Sequence, residues 1–164
     1  MRNRTSFLGA LVLGVFVISF SSSTHANQAA AYRKYKGQIV VSEEEIPGSF
    51  SSDKEMLNVL KRVNRQVVSR KEGSESWTLY CMGFMNKKPG VSMINLVFYR
   101  LTGGKREYVT NKEIGIDGES LVVVTTVDVS DEDGVKPGEK YEVALARMVD
   151  GKETIFAKTK LTFK

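Results

Sequence analysis

The chain has 164 residues, of which 41% are hydrophobic and 26% are charged, and its formal net charge is +5. This length is enough for one domain with a buried core, and the mild positive charge is not that of a dedicated nucleic-acid binder. The sequence contains one histidine, His25, and one cysteine, Cys81. Beyond His25 it therefore has no residues for a serine–histidine triad or a histidine-ligated zinc, and it cannot form an intrachain disulfide.

The first 26 residues have the three parts of an export signal. Arg2 and Arg4 form a basic start, residues 7–20 form an apolar core, and Thr24 and Ala26 stand at positions −3 and −1 of a cleavage site. The core is shorter than the roughly 20 residues that span a bilayer, which favours cleavage, although a retained anchor stays open. Cleavage lowers the basic residues from 24 to 22 against 19 acidic ones, which leaves +3. We expect a periplasmic or secreted protein.

The mature chain begins with a small and then basic-aromatic segment, NQAAAYRKYKG, over residues 27–37. Such a composition is typical of a flexible N-terminal tail. Residues 38–164 then follow as a single β-rich domain with one helix. The first element of that domain is a short strand over residues 38–42, which is followed by a loop broken at Pro47 and Gly48.

The one helix of the domain is predicted over residues 52–71. Ser52 with Glu55 three residues later forms a capping box, in which each side chain satisfies a free backbone N–H. The apolar positions of the helix share one side at 100° per residue, which predicts packing on a sheet. These positions are Met56, Leu60, Val63 and Val67.

The opposite side of this helix is basic. Lys54, Lys61 and Arg65 fall together there, with Arg62 beside them. A basic stripe of this kind could bind an anionic partner such as a lipid or a glycan, and these four residues are the ligand-binding candidates. The structural alternative is a solvated outer face of a docked helix.

Four further strands follow the helix. They are predicted over residues 77–85, 92–101, 106–116 and 121–129. The first two are apolar on both faces, which indicates burial on both sides, with the helix as the cover of the second face. Residues 106–116 are polar, and Lys112 with Glu113 indicates a guarded sheet edge. Cys81 lies in the first of these strands and is predicted to be a buried small hydrophobe.

The C-terminal segment, residues 133–164, predicts a turn, a strand, a hairpin and a closing strand, because apolar residues alternate from Tyr141 to Phe163. Asp150 and Gly151 are the pair that type I′ hairpin turns favour. The segment from Val135 to Tyr141 resembles the approach to strand F in fibronectin type III and immunoglobulin-like domains. The resemblance implies a β-sandwich in which the Tyr141 hydroxyl bonds to the backbone upstream, and it implies no particular function.

A weak metal candidate precedes that segment. In the acidic stretch that contains Asp128, Asp131 and Asp133, the residues Asp131, Asp133 and Gly134 resemble the end of an EF-hand start, but Val129 stands where the first aspartate belongs. The sequence leaves calcium binding by these residues open, with an exposed acidic turn as the simpler interpretation. No nucleophile elbow or phosphate-binding glycine loop is present. We therefore expect no cofactor and no enzymatic activity.

These patterns together predict a mainly β protein. The predicted fold is an antiparallel, immunoglobulin-like β-sandwich of about seven strands with helix 52–71 on a sheet face. The alternative is an α+β fold with a single curved antiparallel sheet wrapped on the helix.

The predicted function is that of an exported, non-catalytic protein-interaction or structural module of the cell envelope or extracellular space. It would bind another envelope or extracellular protein through a sheet edge or loop ends. The alternative is a small or anionic ligand, lipid or glycan, in the helix–sheet gap or on the basic helix face. Neither hypothesis includes a nucleic-acid partner, or a transmembrane segment after signal cleavage.

Overall fold

The computed structural model describes residues 29–164, so the signal segment predicted for residues 1–26 lies outside the described residues. Helices α1 and α2 span Ala29–Tyr35 and Asp53–Val63. The strands are β1 Gln38–Ser42, β2 Val67–Val68, β3 Ser76–Phe84, β4 Met93–Thr102, β5 Lys105–Gly115, β6 Val122–Ser130, β7 Lys140–Val149 and β8 Lys152–Phe163. The strands predicted at 38–42, 77–85, 92–101, 106–116 and 121–129 are confirmed to within one residue.

The strands form one curled sheet in the order β5-β4-β7-β8-β1-β3-β6, with β2 beside β8. Most neighbours are antiparallel, but β8 pairs in parallel with both β1 and β2. The sheet is therefore mixed, and the prediction of a wholly antiparallel arrangement is wrong. The mainly β class is confirmed, and so is the helix packed on the sheet. Strands β5 and β6 stand at the two ends of the order.

The larger hydrophobic cluster lies on the inner face of the curled sheet. Phe163, at the end of β8, is its aromatic centre: its ring centroid lies 5.0 Å from that of Trp77 and 5.4 Å from that of Tyr141. The Phe98 ring completes the group at 6.5 Å from Phe163. These four side chains come from β3, β4, β7 and β8, so their burial ties distant strands together through the largest apolar surfaces available.

Side chains alternate along a strand, so β1 and β3 have a second apolar face that points away from the larger cluster. Both helices pack on this second face. Met56, Leu60 and Val63 of α2 are buried against this face, as predicted for the apolar stripe. Helix α1 joins them through Tyr35, whose ring stacks on Phe84 with 5.4 Å between centroids. Residues 29–35 are thus helical and partly buried, which differs from the flexible tail predicted for residues 27–37.

Helix α2 ends at Val63, so the prediction of a helix up to residue 71 is wrong. Val67 and Val68 instead form β2, which pairs in parallel with the end of β8. The backbone N–H of Thr162 donates to the carbonyl of Gln66 at 2.8 Å. Pairing with β8 satisfies backbone groups that a longer helix would leave open, and it suits β-branched residues. Val67 is 41% exposed and does not belong to the buried stripe.

One of the two hydrogen bonds of the predicted capping box is present at the start of α2, and the other has a different donor. The Ser52 hydroxyl accepts from the backbone N–H of Glu55 at 3.2 Å. The Glu55 carboxylate accepts from the backbone N–H of Ser51 at 2.7 Å, one residue earlier than the pattern predicts. The helix start is therefore where the sequence places it.

Two local predictions in the C-terminal segment are confirmed. Asp150 and Gly151 both have positive φ, 50° and 74°, as a type I′ turn requires. The Tyr141 hydroxyl accepts from the backbone N–H of Lys136 at 2.8 Å and donates to the Glu139 carboxylate at 2.8 Å. Tyr141 is fully buried, so these bonds fix the loop from β6 to the start of β7.

Candidate functional site

The predicted basic stripe is only partly assembled. Lys54, Lys61 and Arg62 are exposed on α2, whereas Arg65 lies beyond the end of the helix. The Arg65 guanidinium donates to the carbonyl of Arg62 at 2.7 Å and lies 4.0 Å from the Glu43 carboxylate. Part of its charge is therefore balanced locally. Three of the four candidate residues share the helix surface, and the fourth belongs to the following loop.

An open groove of about 430 Å³ lies along this helix surface. It is lined by Ser52, Lys54, Glu55, Asn58, Val59 and Arg62. Lys61 and Arg65 do not line the groove, whereas the Glu55 carboxylate does. Hydrogen bonds from the hydroxyl and the backbone N–H of Ser51 hold the pKa of that Glu55 carboxyl below its usual value. The groove therefore presents both signs of charge, and anionic-ligand binding here stays a prediction.

The three aspartates of the calcium candidate each have a different partner. Asp128 accepts from the Thr78 hydroxyl at 2.6 Å, Asp131 pairs with Arg70 at 2.7 Å, and Asp133 pairs with Lys112 at 2.7 Å. Partial burial acts to raise the pKa of Asp133, but the bonds from Lys112 and Ser130 outweigh it and hold that pKa below its usual value. Within residues 29–164, no three acidic, histidine or cysteine side chains group as metal ligands do.

Cys81 is buried in the inner cluster, as predicted. Burial raises the pKa of its thiol to about 12, because the thiolate loses its hydration in an apolar environment. The thiolate is the nucleophilic form of cysteine, so the thiol is unreactive at neutral pH.

The two end strands of the sheet carry very different edges. Strand β5 is charged along its length, through Lys105, Arg106, Glu107, Lys112 and Glu113. Strand β6, with the sequence VVVTTVDVS, has Asp128 as its one charged residue. Charges on an edge strand oppose pairing with a further strand, whereas a neutral, β-branched edge favours it. The β5 edge is thus protected, as predicted from Lys112 and Glu113, and the β6 edge is not.

Strand β6 has a row of backbone N–H and C=O groups along its outer edge that pairs with no strand of residues 29–164. It pairs with β3 over its whole length, from Val122 opposite Phe84 to Ser130 opposite Ser76. Among the strands of residues 29–164, none pairs with its other side. Val124 on its outer face is 41% exposed, and Thr126 beside it is exposed as well. The free N–H and C=O groups on this side are a template for one more strand.

The hydrophobic core is least covered at the two end strands of the sheet. Val123 and Val127 of β6 are each 8% exposed and Ile114 of β5 is 5% exposed, whereas every other member of the inner cluster is 2% exposed or less. The half-buried Val109 of β5 and Ile116, which directly follows β5, also pack against this cluster. The most exposed members of the cluster therefore come from the two end strands of the sheet, and β6 is the end strand with a single charged residue.

This edge is the feature that sequence reasoning missed. Residues 121–129 were predicted as a β-branched strand, but strand order depends on pairing between distant residues. The signal available in the sequence is a contrast in charge: five charged residues along 105–115 and one along 122–130. A strand with so few charges is either central in a sheet or an open edge, and only the order of the strands distinguishes the two.

Comparisons of the chain with protein-family models, curated proteins and solved structures returned no match. Neither of the helices in the described part of the chain has the length and apolar character needed to cross a membrane.

Proposed function

We propose that this protein is an exported, non-catalytic protein-interaction module that binds an extended segment of another envelope or extracellular protein by strand addition to β6. The observation that carries the proposal is the free edge of β6, which has Asp128 as its one charged residue and holds the two most exposed members of the inner cluster, Val123 and Val127. In strand addition, backbone hydrogen bonds supply affinity and alternate side chains supply specificity.

The geometry of the edge defines what the added segment needs. Its inward side chains would lie beside Val123, Thr125 and Val127 and would cover the valines that are 8% exposed. Small, β-branched or aliphatic residues at every second position suit this environment. A cation would be favoured near Asp128, and an acidic residue would be disfavoured there. The partner is therefore a chain with an exposed, alternating, mostly neutral β-segment.

The same proposal includes the fold and the location of the protein. We propose that the curled sheet is an immunoglobulin-like sandwich, with β5-β4-β7-β8 as one layer and β1-β3-β6 as the other. The single parallel pair between the layers, Gln38 with Lys158, and the Tyr141 hydrogen bond to Lys136 support this division. The signal pattern of residues 1–26 supports export, and the absence of histidine after His25 supports a non-catalytic role.

Affinity capture with edge variants tests the function. The mature chain from Asn27 serves as bait for envelope and culture-medium fractions at low and high salt. Val124→Lys puts a charge on the free edge at an exposed position, so the bait should fold but lose its partner. Tyr108→Lys is the matched control, because Tyr108 is 58% exposed on the other edge strand.

We expect a protein partner that is retained at high salt by the wild type and by the Tyr108 variant and is lost by the Val124 variant. Equal capture by both variants would contradict strand addition at β6. Capture of anionic lipid or glycan alone, lost at high salt and weakened by Lys54→Glu with Arg62→Glu, would instead support the basic face of α2.

A further inference from the structure

We propose that a second copy of this chain supplies the added strand, so that two β6 edges pair antiparallel about a two-fold axis at Thr126. This inference rests on the proposed function, because the second copy would use the same free edge that another protein would bind. It follows from the sequence of β6 itself: when two copies of the strand run antiparallel, apolar or β-branched residues of one copy lie opposite apolar or β-branched residues of the other on the inward face.

A register centred on Thr126 keeps every residue on its own face. Antiparallel pairing then places Thr126 opposite Thr126 of the copy. Residues that share a face are two positions apart, so in this register inward side chains lie opposite inward ones and outward side chains lie opposite outward ones. On the inward face Val123 is opposite Val129 and Thr125 is opposite Val127. Each copy would thus place apolar or β-branched side chains beside the valines that its partner leaves 8% exposed.

The charges of β6 are compatible with this pairing. Asp128 of one copy would lie beside Val124 of the other, and Asp128 is already held by the Thr78 hydroxyl at 2.6 Å. The two Asp128 positions are offset by four residues along the strands, which is roughly 13 Å at about 3.3 Å per residue. That separation exceeds the Debye length of about 8 Å at physiological salt, so their repulsion is screened.

The pairing also ends at two copies. A two-fold contact uses the same edge of both chains and leaves no free β6 edge behind. Within residues 29–164, the other end strand of the sheet is β5, whose edge carries Lys105, Arg106, Glu107, Lys112 and Glu113. These charges oppose continued edge-to-edge growth. The geometry therefore favours a closed dimer with one continuous sheet over a fibre, and any other partner at β6 must compete with the second copy.

Sedimentation velocity over a concentration series of the mature chain tests the dimer, with Thr126→Lys and Thr126→Glu as the decisive variants. Each variant alone puts two like charges directly opposite each other at the axis. We expect each to weaken dimerisation at least 100-fold, and we expect an equimolar mixture of the two to dimerise again. Tyr108→Lys, on the charged edge, should dimerise as the wild type does. Restoration in the mixture requires the predicted register, because only there do the two variant positions meet.

A wild-type chain that stays monomeric at high micromolar concentration would overturn the self-pairing, as would a Thr126→Lys chain that dimerises like the wild type. Thr126→Cys gives a second readout: it should form an interchain disulfide on mild oxidation, whereas Tyr108→Cys should not. The buried Cys81 does not compete in this reaction.

These failures are distinct from failure of the proposed function. A monomeric wild type whose captured partner is lost by Val124→Lys would overturn the self-pairing and retain strand addition at β6. A dimer that is insensitive to both Thr126 variants would place the interface elsewhere and overturn the self-pairing.

Discussion

Replacement of Tyr141 by phenylalanine tests the hydrogen bonds that join the β6–β7 loop to the core. The hydroxyl accepts from the backbone N–H of Lys136 and donates to Glu139, both at 2.8 Å, at a fully buried position. Tyr141→Phe keeps the ring, and therefore its contact with Phe163, and removes only these two bonds. The substitution thus isolates the polar part of the interaction.

The expected loss of stability is about 2 kcal/mol. A neutral hydrogen bond contributes about 1 kcal/mol net, one to a charged group contributes about 1.5–3 kcal/mol, and an unsatisfied buried donor costs about 1–3 kcal/mol. Two factors reduce the total: the Glu139 side chain is 35% exposed, and it keeps its pair with Arg100 at 2.9 Å. Water and Arg100 can therefore replace what Glu139 loses, whereas the N–H of Lys136 loses its partner.

Urea unfolding of the mature chain, followed by Trp77 fluorescence, measures the loss. Tyr108→Phe is the control: it also removes one hydroxyl bond, to Asn111 at 2.6 Å, but at a position that is 58% exposed. We expect the control to change the free energy of unfolding by less than about 0.5 kcal/mol. A Tyr141→Phe value as small as that of the control, with an unchanged m-value, would refute the assignment of the hydroxyl bonds to loop stability.

Three further predictions follow from the core and its charged rim. The Cys81 thiol, with a pKa raised to about 12, should react with a thiol reagent at pH 7.5 only after unfolding in urea; stoichiometric labelling of the native chain would contradict its burial. Gly83→Ala should lower the free energy of unfolding by about 1–3 kcal/mol in chemical denaturation, because the added methyl overlaps Leu145; a neutral result would show that Leu145 can move aside. Asp133 has a lowered folded-state pKa, so it stabilises the fold above its unfolded pKa of about 3.9, and this contribution is lost as the pH falls through the folded value. Asp133→Asn should therefore be less stable than the wild type at pH 7, the difference should narrow as the pH falls below about 3.9, and parallel pH curves would contradict the assignment.

Local signals in the sequence account for most of the strands. The hairpin at Asp150 and Gly151 needs only two residues with positive φ, and the flanking alternation fixes which face is buried. The Tyr141 hydrogen bond was expected from the resemblance to the approach of strand F in fibronectin type III and immunoglobulin-like domains, and its partner Lys136 is only five residues away. Interactions of short range along the chain were thus the ones that a pattern could predict.

The helical elements show where such patterns fail. Val67 continues the apolar period of α2, but β8 supplies a strand partner that the period cannot reveal. Helix α1 has seven residues, too few to be stable alone, and it forms where Tyr35 stacks on Phe84. In both cases contacts with distant residues decide the local structure.

The candidate site was predictable only in part. Lys54, Lys61 and Arg62 are exposed on α2 as the helical period predicts, whereas Arg65, which is also exposed, lies in the loop beyond the early end of α2. The β6 edge was recognised as a strand but not as an edge, because its position at the end of the sheet depends on pairings that span the whole domain. Composition alone does not distinguish an open edge from a central strand.

Hydrogen exchange of the β6 amides tests the central claim most directly. Exchange of the ¹⁵N-labelled mature chain is recorded residue by residue, first in dilute solution and then with the proteins that affinity capture returns. If β6 is the binding edge, every second amide of Val122–Ser130 exchanges fast in the dilute chain and gains protection in the complex, while β5 is unchanged. Protection confined to β5 or to the exposed face of α2, with β6 unchanged, would contradict the claim.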